Sequence, residues 1–272
     1  MQSNNNHSPD QTTQLITNIH DGVLLLTINR PERRNAMSPE IYNALLASLN
    51  NAAHDKDIGA IVLTGAGTAF SAGGDVARMA GATAEELTYE QKITRLRTRA
   101  RISELLHTMD KPTIAMIRGP AVGAGLSIAM ACDLRFADTS ARLGTAFLNV
   151  GLSGDFGGHY FLPKLVGMAK ARELYLTTPI LDARESLAIG LLNQVVEPDE
   201  LEPKVMAIAR KLAQGPRTAM AYMKQNLNNA LHASLAEVID GESWRHIRCT
   251  ETPDHKEATQ AYMEKRQPKF SR

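Results

Sequence analysis

Polar turns cut this chain into short apolar runs of two kinds. Residues 60–64 (Ala-Ile-Val-Leu-Thr) and 113–117 (Thr-Ile-Ala-Met-Ile) are apolar at consecutive positions, rich in β-branched side chains and closed by turn residues. That pattern predicts buried strands. Residues 125–132 (Gly-Leu-Ser-Ile-Ala-Met-Ala-Cys) are apolar almost all round, which fits a buried helix. A further helix opens at Ser38-Pro39-Glu40, where serine can cap and proline suits the first helical position. From Gly22 to about Ala137 strand-like and helical runs alternate, and this predicts an α/β core. Beyond Gly158 the chain reads as mostly helical, through 201–214, 217–230 and 235–250. No linker rich in proline, glycine or serine divides it, and no long internal repeat is visible.

Each predicted strand runs into a glycine-rich turn: Ser71-Ala-Gly-Gly-Asp75 after the first, Gly119-Pro-Ala-Val-Gly-Ala-Gly125 after the second. Glycine allows sharp turns and close approach of backbone to ligand, and N–H groups left free at such corners attract negative charge. One cluster alone is a tight turn. Two in strand-turn-helix context point to an enzyme that stabilises an anion.

Several ordered blocks resemble the crotonase superfamily, the enoyl-CoA hydratases and isomerases. They are Asn29-Arg-Pro-Glu-Arg-Arg-Asn-Ala-Met-Ser38, residues 63–75, Lys111-Pro-Thr-Ile-Ala-Met-Ile-Arg-Gly119 and Met130-Ala-Cys-Asp-Leu-Arg135. The likeness runs from about Leu15 to the C-terminus. It implies repeated ββα units wound as a short superhelix, with residues 15–200 as catalytic core and 201–272 as a helical subdomain that covers acyl-CoA and joins subunits. It also implies an acyl-CoA thioester whose carbonyl accepts bonds from the N–H groups of Gly74 and Ala124. Relatives bury their C-terminal helices between subunits, so a trimer or a hexamer of paired trimers is expected.

The resemblance fails at the acid-base residues. Hydratases of this superfamily carry two glutamates, and their counterparts here are Ser127 and Phe147. Neither replacement supplies an acid or base at neutral pH. A carboxylate follows in Gly151-Leu-Ser-Gly-Asp-Phe-Gly-Gly158, and Asp155 there resembles the proton shuttle of 3-enoyl to 2-enoyl-CoA isomerases and of 1,2-epoxyphenylacetyl-CoA isomerases. No metal or redox cofactor is required for that chemistry; CoA belongs to the substrate. Asp155 also reads as an N-cap for a helix starting near Gly157, and the two roles are not exclusive. As a base it needs an apolar pocket to raise its pKa, for which Phe147, Leu152 and Phe156 are candidates. The alternatives are a hydratase with a non-standard acid-base set, a dehalogenase or hydrolase using Asp155 as nucleophile, and a non-catalytic CoA-binding protein. The 4-chlorobenzoyl-CoA dehalogenases place a tryptophan beside the ring, whereas the only tryptophan here is Trp244.

Other candidates carry bland readings beside the functional ones. Ala36, Ala72 and Asp75 lie in the matched blocks and join the substrate-binding set. Arg34 is the best candidate for CoA phosphates, followed by Lys265, Arg266 and Lys269, though surface basic residues are common. His159 can reach substrate or cover a helix turn. Glu85, Glu86 and Glu90 fall in a charged helical stretch, with Glu90 a second-acid candidate. Cys132 and Cys249 lack metal or disulfide spacing and read as reduced packing residues. A net charge of +1 argues against bulk attraction to nucleic acid. Residues 1–14 are polar and read as a loose tail, and no apolar run approaches the roughly 20 residues of a membrane span. A cytoplasmic enzyme without nucleic-acid or membrane partners is the expectation.

Overall fold

The computed structural model describes residues 13–81 and 87–270; Glu85, Glu86 and nearly all of the polar N-terminal stretch lie outside them. Strands β1 (Leu15–His20) and β2 (Val23–Ile28) form a hairpin, followed by α1 (Pro39–His54), β3 (Ala60–Gly65), α2 (Val76–Gly81) and α3 (Tyr89–Thr108). The two sequence-predicted strands are β3 and β4 (Thr113–Ile117), and every residue of both is buried. Next come β5 (Pro120–Val122), α4 (Ala124–Ala131), β6 (Leu134–Asp138) and β7 (Arg142–Gly144). Helices α5 (Gly158–Val166) and α6 (Met168–Thr177) lead through β8 (Leu181–Asp182) and α7 (Ala183–Ala188) to β9 (Gln194–Val196). The chain closes with α8 (Leu201–Ala213), α9 (Arg217–Ala230), α10 (Leu235–Thr250) and α11 (Pro253–Met263).

Six strands form one sheet in the order β1-β2-β3-β4-β6-β9, parallel except at the β1–β2 hairpin. Strands β5, β7 and β8 make a second, smaller sheet. A parallel sheet must be covered on both faces, so its strands carry continuous apolar runs. Strand alternation then sorts the side chains. Leu24, Leu26, Ile28, Ile61, Leu63, Ala115 and Ile117 meet α1, α3 and α4 in the larger core. Val23, Ala60, Val62, Ile114, Met116 and Phe136 meet Leu201, Val205, Ala209 and Ala213 of α8. Ser38 caps α1 as its sequence signals, its hydroxyl accepting from the Ile41 N–H at 3.2 Å.

Helix α8 thus covers one face of the main sheet, and the expected division at residue 200 cuts through this packed layer. The helices beyond α8 pack differently. Helix α9 docks through Lys224, nearly buried, whose Nζ donates to the Leu106 carbonyl (2.9 Å), the Lys111 carbonyl (3.1 Å) and Asp133 Oδ2 (2.8 Å). Helix α10 buries none of its residues and leaves Leu235, Ile239, Trp244 and Ile247 exposed.

Leu201→Ala removes a fully buried side chain from the contact between α8 and the sheet. Urea denaturation is expected to show a loss of roughly 2–5 kcal/mol; a loss below about 1 kcal/mol would make α8 peripheral.

Candidate active site

The two glycine corners are bonded to each other. The Ser71 N–H donates to the Pro120 carbonyl and the Val122 N–H to the Ser71 carbonyl, both at 3.0 Å. The segment after the short helical turn Pro31–Arg33 backs the first corner. There the Ala72 N–H donates to the Arg34 carbonyl (2.9 Å), the Met37 N–H to the Gly73 carbonyl (2.8 Å) and Ser71 Oγ to the Asn35 carbonyl (2.8 Å). Gly73 has φ +86°, and a Cβ there would sit 2.6 Å from the Val122 carbonyl oxygen and 3.4 Å from the Ala124 nitrogen. Only glycine allows the corners to approach this closely. Among the described residues no hydrogen bond takes up the N–H of Gly74 or of Ala124, the first residue of α4. Two adjacent free donors, one at the positive end of a buried helix, form an anion-stabilising corner.

Asp75 belongs to the frame of this corner. Its Oδ2 accepts from Arg30 Nη1 at 2.7 Å and its Oδ1 from the Arg78 N–H at 3.0 Å, and the Arg30 bond holds the carboxyl below the usual range. Arg30 Nη1 also donates to the carbonyl of buried Ala36 (3.1 Å). These bonds tie Asp75 and Ala36 into the frame of the corner.

Helix α4 links the corner to the carboxylate. Ser127 lies three residues beyond Ala124, about 4.5 Å along the axis, and is buried at 1 % exposure. A Cβ on Gly158 would lie 2.6 Å from Ser127 Oγ, so the turn 155–158 packs directly onto this part of α4. Asp155 does not cap α5. The N-cap is Gly157, and no side chain caps this helix. Oδ1 of Asp155 is sealed from solvent and has no hydrogen-bond partner among the described residues. Burial pushes its pKa up to about 6. Its neighbours include two tyrosines. Tyr42 stacks on Phe156 (5.1 Å between ring centres, 14° between planes). Burial, then the Asp155 charge, raises the Tyr42 hydroxyl, and the same two causes push Tyr175 up to about 12.

Phe147 and Phe156 are buried here, and the Phe147 ring comes within 3.8 Å of a Cβ position on Gly123. Leu152 is 47 % exposed, and its N–H donates to the Phe147 carbonyl at 3.0 Å. His159 is exposed and stacks on Tyr175, with ring centres 4.1 Å apart. Glu90 is exposed in the first turn of α3; a bond from its own N–H, aided by Thr88, keeps its carboxyl low, so it is unsuited to act as a second acid. Arg34 is exposed beside the first corner, with φ +49°. Lys265 and Lys269 are exposed near the C-terminus, and the Lys269 N–H donates to Glu257 Oε1 (2.7 Å). Arg266 is tied to Glu257 and Glu264. Cys132 is buried and free, Cys249 partly buried and free. Among the described residues no group of three metal-ligating side chains converges. The sequence reading missed Tyr42 and Tyr175, because each sits in an amphipathic helix where an aromatic residue signals packing.

Fold and corner together present an anion-stabilising site on an α/β frame, and comparison with known proteins gives the family. Residues 18–272 match the family model for enoyl-CoA hydratase/isomerase. The chain is 35 % identical over 246 residues to a short-chain-enoyl-CoA hydratase of Clostridium acetobutylicum, covering 90 % of this chain and 92 % of that protein. It is 33 % identical over 222 residues to a 4-chlorobenzoyl coenzyme A dehalogenase of an Arthrobacter species, with coverage of 82 % and 80 %. The crystal structure of a putative enoyl-CoA hydratase from Streptomyces coelicolor superposes with TM-score 0.91 at 32 % identity, over 99 % of this chain and 98 % of that one. The chain belongs to the enoyl-CoA hydratase/isomerase family, within the crotonase superfamily.

A carboxyl raised from 3.8 to about 6 prefers its protonated form in the folded state. Its ionisation therefore destabilises the fold increasingly as pH rises from about 4 to 6, and constantly above that. Thermal denaturation of Asp155→Asn should show a gain over the wild type at pH 8, worth about 1–3 kcal/mol, that shrinks towards pH 4. An equal difference at both pH values would mean that Asp155 is not desolvated.

Proposed function

We propose that this protein moves a double bond within an enoyl-CoA thioester, from the 3- to the 2-position, with Asp155 as the single proton shuttle. One observation carries the reading: Asp155, on the turn packed onto the helix that starts at the corner, is sealed at one oxygen, unpaired among the described residues and raised to about 6, while by the resemblance the two glutamate positions of the hydratases fall on Ser127 and Phe147. Ionised at neutral pH and close to the operating range, such a carboxylate is suited to take a proton and return it. It removes the proton at the α carbon, and the C–H electron pair moves through the conjugated system onto the thioester oxygen. The N–H groups of Gly74 and Ala124 hold that dienolate oxygen, a contribution of about 3–4 kcal/mol per donor. Asp155, the same acid, then delivers a proton to the γ carbon after exchange with solvent, and atoms and charge balance without a co-reactant.

Hydration is the second reading, favoured by the names of relatives such as the Clostridium enzyme. It would require one carboxylate both to activate water and to protonate carbon. Dehalogenation draws on the Arthrobacter relative, but Trp244 is exposed on α10, packed against Tyr222 at 5.5 Å. The exposed apolar side chains of α9 to α11, among them Met223, Leu227, Ile247 and Tyr262, support a trimer or hexamer in which these faces are covered. Among the described residues no helix is long and apolar enough to cross a membrane.

In deuterated water, mass spectrometry of 3-enoyl-CoA incubations should show bond migration with deuterium at the α or γ carbon and no gain of water. Asp155→Asn should retain acyl-CoA binding and lose about 10²- to 10⁴-fold in turnover. A product heavier by one water, or undiminished turnover in the variant, would overturn the reading. Light scattering at micromolar concentration should give three or six times the 29.7 kDa chain mass; a monomer would refute the assembly.

A further inference from the structure

A site built only to pass an alkyl chain over a carboxylate has no use for sealed, idle hydroxyls, yet two lie here. Ser127 Oγ and the Tyr175 hydroxyl are both shut off from solvent and without a hydrogen-bond partner among the described residues. A Cβ on Gly158 would lie 2.6 Å from the first and 2.3 Å from the second, so the two oxygens lie against the same glycine and close to each other. Asp155 lies two and three residues before this turn's last pair of glycines, and its charge is felt at Tyr175. Leaving a buried hydroxyl unpaired is unfavourable, and two such groups side by side form a paired donor set without an acceptor among the described residues.

We infer that Ser127 and Tyr175 form a subsite for an oxygen atom carried by the acyl group, so that the preferred substrates are oxygenated acyl-CoA thioesters bearing a keto, hydroxyl or ether oxygen close to the carbons served by Asp155. This specifies the substrate class of the enzyme and rests on the reading of the Asp155 turn as the acyl site. The Tyr175 hydroxyl stays protonated across the physiological range, because burial and the neighbouring carboxylate both oppose its ionisation, so it acts as a donor. Its ring is held by stacking on His159, 11° from parallel, which fixes the direction of the C–O bond. Ser127 is held by a fully buried helix. Both donors are thus preorganised. A plain alkyl chain bound at the same place leaves them idle, and discrimination between a polar group and its absence is strongest where buried partners are otherwise left unpaired.

The test is calorimetric titration of hexanoyl-CoA and of its three analogues with a keto oxygen at C3, C4 or C5, using wild type, Ser127→Ala and Tyr175→Phe. At least one keto analogue should bind the wild type about tenfold or more tighter than hexanoyl-CoA. Each variant should remove most of that preference while binding hexanoyl-CoA within about threefold of the wild type. A wild type that prefers none of the analogues overturns the inference, even if the variants fail to fold. Variants that weaken all four ligands alike also overturn it, because the hydroxyls would then hold a water or support the fold. These saturated ligands undergo no bond migration, so the two readings fail separately. Loss of isomerase activity with the preference intact removes only the proposed reaction, and bond migration without the preference removes only the oxygen subsite.

Discussion

Everything in the site depends on the pair of backbone hydrogen bonds that joins Ser71 to Pro120 and Val122. They lock the end of one strand-turn unit against the beginning of the next, so the two corners cannot move independently. Gly125 shows how tight this contact is: a Cβ there would lie 2.7 Å from the Ser71 side chain. Buried backbone donors are almost always paired in folded proteins. Around these corners the N–H groups of Ser71, Ala72, Gly73 and Val122 all find acceptors, and those of Gly74 and Ala124 do not. The free pair is therefore a product of the way the corners are clamped. Donors fixed in advance need no reorganisation when charge develops on a thioester oxygen, which is why backbone rather than flexible side chains can do this work.

The carboxylate side of the site follows a different logic. Asp155 sits on a turn in which Phe156 adopts φ +51° and Gly157 φ +75°, a conformation maintained by the stacking of Tyr42 on Phe156 and by the packing of Gly158 against α4. The surroundings offer rings and hydroxyls, and burial is what acts on the carboxyl. That raises its pKa and costs stability once it is ionised. Unpaired Ser127 and Tyr175 add to the cost. Proteins commonly retain such locally unfavourable groups where function uses them.

The large sheet serves as the support for both halves. Its parallel strands are sealed on one face by α1, α3 and α4 and on the other by α8, so the corners rise from a rigid layer. Buried Arg135 stiffens the far end of α4, donating to the carbonyls of Cys132 (2.6 Å) and Leu191 (3.0 Å). The helices after α8 contribute less to this support, and their exposed apolar side chains are available for contacts outside the chain.

Local pattern alone determined much of this protein. The continuous apolar runs of β3 and β4, the Ser38 cap, the buried α4 and the limits of α9 and α10 were all legible, because strand burial, capping and helical periodicity are set by residues close together in sequence. The glycine corners and Asp155 were legible as candidates for the same reason. Tertiary structure alone decided which of them are free to act. Asp75 reads like Asp155 in a sequence, a carboxylate beside paired glycines, but Arg30, 45 residues away, binds one of them and burial isolates the other. Glu90 reads as a possible acid until its exposure at the start of α3 is seen, and α8 reads as part of a separate helical unit until it is found against the sheet. Tyr175 has no signature at all, because an aromatic residue in an amphipathic helix looks the same whether it fills a core or faces a substrate. Pairing, desolvation and convergence are relations between residues distant in the chain, and they arise only when the chain is folded.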